Sequence, residues 1–157
     1  MRSIIILVAV LAFGAAGARA QVTAESRASG TFDVTLTPQA PSDDTLAATV
    51  GRLTIDKQFH GGLEGVSKGE MLTAMTDVDG SAGYVAIEAV SGTLDGRTGT
   101  FVLQHSGTMN RGTPQLSITV VPDSGTGQLE GITGTMTIEI AGETHAYDFA
   151  YLLPGNP

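Results

Sequence analysis

The chain contains no cysteine, which excludes disulfides, thiolate zinc sites, dithiol redox motifs and cysteine nucleophiles at a stroke. It is short of positive charge, with 8 Lys and Arg against 16 Asp and Glu. A surface of that sign repels phosphate backbones and anionic lipid, so nucleic acid and membrane surfaces are not expected as partners. No segment sustains a helical period beyond Gly30. Also missing are the serine nucleophile elbow, the metalloprotease helix, and the lysine and following helix that phosphate-cradling glycine loops require. The histidines stand at His60, His105 and His145 with no local ligand spacing. Neither a metal nor another cofactor is therefore expected.

One apolar run stands out, from Ile4 to Phe13, preceded by Arg2 and followed by small residues ending Ala18-Arg19-Ala20. That order is a secretory signal peptide over residues 1–20, cleaved after Ala20. The run is about half of the roughly 20 residues that a helix needs to cross a bilayer. The expected product is exported, periplasmic or secreted, and free of the membrane. Cleavage takes Arg2 and Arg19 from the basic residues, moving the formal charge from −8 to −10.

What remains fits one domain, read as a loose lead over 21–29 and a single all-β unit over 30–157. Apolar and polar residues alternate there between short clusters of Gly, Asp, Asn and Ser. Eight strands are expected: Gly30 to Thr37, Thr49 to Phe59, Glu70 to Thr76, Tyr84 to Gly92, Gly99 to Gly107, Gln115 to Val121, Gly131 to Ile140, and Thr144 to Leu153. Asp79-Gly80, Asp95-Gly96, Asn110-Arg111-Gly112, Asp123-Ser124-Gly125 and Gly142-Glu143 suit tight turns, so sequential strands should pair antiparallel. Even spacing of this kind points to an eight-stranded up-and-down barrel, which leaves no exposed sheet edge. A two-sheet β-sandwich is the second choice. Residues 38–48 are expected to form the longer loop.

Leu94-Asp95-Gly96-Arg97-Thr98-Gly99-Thr100 is echoed by Leu129-Glu130-Gly131-Ile132-Thr133-Gly134-Thr135. Two copies are too few for a solenoid and are read as similar hairpin corners.

Alternation assigns an inward set: Phe32, Val34 and Leu36; Leu53, Ile55 and Phe59; Leu116, Ile118 and Val120; Met136, Ile138 and Ile140; Tyr147, Phe149 and Tyr151. Eight strands is the size at which an interior is either packed solid or holds one small ligand, and the sequence leaves both open. Met71 and Met75 share a strand face and read as adaptable filler. His60 and His145 read as solvent or turn histidines.

The stretch from Tyr84 to Gly107 carries apolar and polar residues on both faces. With an even turn, Glu88 and His105 share a face with Phe101 and Leu103, opposed or one step diagonal. A carboxylate and an imidazole placed so would shift each other's proton affinity and could exchange protons. The plainer alternative is an internal pair that pins strand register, and perturbed pairs are often structural.

Asp56-Lys57-Gln58-Phe59-His60-Gly61, Lys68-Gly69-Glu70-Met71-Leu72, Gly80 through Glu88, Phe101 through Gly107, and Val120 through Gly127 together resemble the bacterial domain-of-unknown-function family 3224. The resemblance implies an eight-stranded barrel of the allene-oxide-cyclase type. Gly125-Thr126-Gly127-Gln128-Leu129-Glu130-Gly131 is similar to the Gly-Thr-Gly corner shared with dirigent proteins. No catalytic set of the cyclases maps onto this chain residue by residue.

Three functions compete. The first is a barrel that binds a small apolar molecule through Tyr84, Glu88, Phe101, Leu103, Gln104 and His105. The second is a cyclase or isomerase in which Glu88 and His105 are the catalytic candidates and the barrel holds a reactive conformer. The third is a non-catalytic barrel that self-associates into a homo-oligomer through its outer face.

Overall fold

The computed structural model describes residues 25–40 and 49–154. The expected signal peptide, and all of the expected loop over 38–48 beyond residue 40, lie outside them. The eight strands are β1 (Ser26–Pro38), β2 (Val50–Gly61), β3 (Leu63–Met75), β4 (Ala82–Leu94), β5 (Arg97–Asn110), β6 (Thr113–Val120), β7 (Thr133–Ala141) and β8 (Thr144–Leu152). Each pairs antiparallel with the next, and β8 returns to β1, closing an up-and-down barrel. The expected class is borne out, and the sandwich is set aside by the ladder that joins Phe32 to His145 and Ser26 to Tyr151.

β1, β3, β4 and β5 run longer than the apolar pattern alone marks, whereas β7 and β8 are each one residue shorter than expected. β1 starts at Ser26, so the last four residues of the expected loose lead are strand, held against β8 from Ser26 to Ser29. β3 starts at Leu63 rather than Glu70. Its first half, Leu63 to Gly69, holds two glycines, a lysine, a serine and a glutamate among few apolar residues, which hides the period of two.

The two ends of the barrel differ. At one end Leu63, Leu94, Leu129 and Ile132 are wholly buried and Ala28, Tyr151 and Leu153 nearly so. This plug is completed by the connection between β6 and β7, which includes a 3-10 turn at Gly127–Leu129. β6 stops at Val120, and the connection takes over its hydrogen bonding to β5: Val121 N–H donates to Val102 O, Thr126 N–H to Thr100 O, and Thr98 N–H to Gln128 Oε1. The sheet edge left by the short strand is thus satisfied by loop backbone and side chain.

The sequence echo is accordingly not a pair of hairpin corners. The first copy turns β4 into β5, whereas the second leads from the 3-10 turn into β7. What the copies share is a leucine buried in the plug, Leu94 or Leu129, followed two residues later by a glycine of positive φ, Gly96 or Gly131.

Above the plug the core is aromatic. Phe101 stacks on Phe149 with centroids 5.6 Å apart, Phe149 meets Tyr151 at 5.4 Å, and Phe59 meets Phe32 and Tyr147 at 5.5 and 5.6 Å. The Tyr147 hydroxyl accepts from Leu63 N–H at 2.8 Å and donates to His60 O at 3.2 Å, tying β8 to the β2–β3 corner. A buried phenol is tolerated because it has both partners.

Candidate functional site

The inward face that fills the plugged half is hollow toward the other end. Phe32, Val34, Leu36, Ile55, Met71 and Ile138 are among the residues that wall a cavity of about 520 Å³. Its mouth carries exposed apolar side chains, with Met75 at 73% and Ile140 at 68% exposure. The inward set expected from alternation therefore divides: its members near the plug are packed solid, and those near the mouth line a cup.

Four polar side chains are buried below the cup, Lys57, Ser67, Glu88 and His105, and of these Lys57 and His105 reach its lining. The β4–β5 turn brings Glu88 and His105 together. Asp95 and Gly96 both have positive φ, at 46° and 83°, which is the two-residue hairpin turn whose twist suits paired strands. An even turn pairs Ala86 with His105 and Glu88 with Leu103. Glu88 and His105 are hence one diagonal step apart on the inner face, as the even-turn expectation required.

Glu88 is fully buried, and Lys57 Nζ donates to its Oε2 at 2.8 Å. The Ser67 hydroxyl donates to the other oxygen, Oε1. His105 Nε2 lies 2.9 Å from Oε2, but off the line of a well-formed hydrogen bond, so that nitrogen is otherwise unpartnered. Burial alone would raise the Glu88 carboxyl. The contact with His105, the charge and hydrogen bond of Lys57 and the hydrogen bond of Ser67 outweigh it and hold the group down at about 2. Glu88 is thereby a fixed negative charge. Tyr84, which lines the cavity on the same strand, is pushed up by burial and then by the charge of Glu88.

Lys57 is the residue that the hairpin-centred expectation missed. Its ammonium sits 4.7 Å from the Phe32 ring centroid and 5.6 Å from that of Phe59, where ring faces attract a cation. The signal was available: Leu53, Ile55 and Phe59 were placed inward, and strict alternation puts Lys57 between them. Ser67 lies in the half of β3 where no strand was expected.

The other expected site residues part company. Tyr84 and His105 line the cavity. Phe101 and Leu103 point inward but are packed into the core below it. Gln104 is on the outer wall, because it alternates with inward Leu103 and His105. His145, expected in solvent or a turn, instead lines the cavity and lies 5.2 Å from the Phe32 ring. His60 is exposed near Asp33 and Glu64, as expected. Among the described residues no group of three or more His, Asp or Glu is arranged to hold a metal ion.

Comparison with known families matches residues 28–151 to the model described as "Protein of unknown function (DUF3224)". A similar solved structure is that of a protein of unknown function from the same family in Shewanella oneidensis MR-1. It has 48% sequence identity and a TM-score of 0.78, and the match covers 84% of this chain and 100% of that one. Comparison with curated proteins gives no match.

Proposed function

Since the chain belongs to the DUF3224 family, whose description carries no activity, we propose from the site itself that this barrel is a binding cup for a small, largely apolar molecule. The observation that carries this is the cavity of about 520 Å³ with apolar walls and a polar floor, within the roughly 300–1,000 Å³ of small-molecule sites. Lys57 and His105 meet the inner end of the ligand, while Glu88 sits behind them. We place the cup outside the cytoplasm, on the strength of residues 1–20.

Titration with N-phenylnaphthylamine, which fluoresces in apolar surroundings, tests the reading. Val34→Trp fills the cup and should weaken probe binding by about tenfold or more, whereas Gln104→Ala on the outer wall should leave it unchanged. A wild-type protein that takes up no probe, or equal binding by both variants, would overturn it.

The cyclase or isomerase alternative loses one of its two catalytic candidates on physical grounds. A carboxylate already engaged by Lys57, Ser67 and His105 is a poor proton carrier near neutral pH. Self-association draws on Val85 and Ile87, each 53% exposed on the outer wall. Light scattering that finds only monomer would dismiss it.

A further inference from the structure

We infer that Glu88 is a charge filter: by neutralising Lys57 it makes the cup accept an uncharged oxygen acceptor, such as a ketone carbonyl, and refuse an anion. The inference rests on the binding reading and names the chemistry of the ligand's inner end.

An ammonium carries three N–H donors, and that of Lys57 gives one to Glu88 Oε2 and no other to a described side chain. Its remaining surroundings are ring faces and the cavity. Glu88 has no comparable vacancy, since Ser67 holds Oε1 while Lys57 and His105 crowd Oε2. The floor therefore has donors to spare and needs an acceptor from the ligand.

Charge decides which acceptor. Lys57 and Glu88 are both buried, with side-chain exposures of 6% and 0%, and together they are neutral. A carbonyl oxygen can take the spare N–H and leave that balance intact. A carboxylate would bring a second negative charge beside Glu88 at this buried end of the cup, where unpaired charge is strongly disfavoured. The other titratable groups facing the cavity are His105 from β5, Tyr84 from β4 and His145 from β8. The comparison is run at about pH 8.5, where undecanoate is fully ionised.

The test uses three probes of matched chain length, methyl nonyl ketone, n-undecane and undecanoate, each competed against N-phenylnaphthylamine on the full folded protein. In the wild type the ketone should bind about tenfold or more tighter than either of the others. Glu88→Gln leaves Lys57 uncompensated, so undecanoate should overtake the ketone. Undecane equal to the ketone in the wild type would remove the acceptor argument. Undecanoate equal to or better than the ketone in the wild type, or an unchanged order in Glu88→Gln, would remove the filter. Where Glu88→Gln alone does not fold, the paired change Lys57→Met with Glu88→Gln removes both charges together. That variant should bind ketone and alkane alike, and a retained ketone preference would overturn the proposal. Failure of all three probes against a wild type that does bind N-phenylnaphthylamine also overturns it, while leaving the cup itself standing.

Discussion

Glu88, buried below the cup, ties the stability of this barrel to acid. Glu88 is held at about 2 in the folded protein against an ordinary 4.5, so its ionisation favours the folded state. That stabilisation is complete above pH 4.5 and is lost as pH falls from 4.5 to about 2, amounting to about 3 kcal/mol at most. Urea unfolding between pH 5 and pH 2.5 should show this slope, and Ser67→Ala should flatten it by weakening the hold on the carboxylate. Tyr147→Phe makes a separate case. It leaves the Leu63 N–H without its acceptor in the buried plug, and should cost about 1–3 kcal/mol by the same measurement. The sequence made Glu88 and His105 legible as partners because parity and turn length together fix which face each occupies. Lys57 was legible by parity alone, but its charge argued against an inward place until a counter-charge on another strand was known.

For the strands, legibility followed apolar content. β4 and β5 alternate cleanly through their middles, and their expected limits fall inside the observed ones by only a few residues. β3 was half missed because its first seven residues carry small and polar side chains on both faces. One of these is functional in a geometric sense: a Cβ at Gly69 would lie 2.5 Å from Ile87 O and 2.9 Å from Glu88 Cα. The absent side chain is what lets β3 lie close beside Glu88. Gly69→Ala should push β3 away from β4, lower the melting temperature and disturb the Ser67–Glu88 contact, which a crystal structure or a shifted acid limb would reveal. Gly96→Val tests the turn. A β-branched residue at its φ of 83° should cost about 1–2 kcal/mol in urea unfolding, and the Asp95 carboxylate that accepts from the Tyr151 hydroxyl at 2.6 Å would be displaced with it.

For the molecule as a whole, turn chemistry and even spacing were enough to indicate closure, because eight sequential hairpin-linked strands with no covered edge have few other soluble arrangements. The division into a solid half and a hollow half was not legible. It depends on which inward residues the β6–β7 connection covers, and that is long-range packing rather than local pattern. Export is tested at this scale by the intact mass of protein recovered from outside the cytoplasm, which should correspond to a chain beginning at Gln21; full-length protein retained in the cytoplasm would refute it. The plug has a last consequence. A vessel sealed below can be filled only from above, so whichever end of a guest comes to rest on Lys57 must travel in first and leave last. Release should slow as the guest's tail lengthens and covers more of the wall, even among guests whose leading ends are identical.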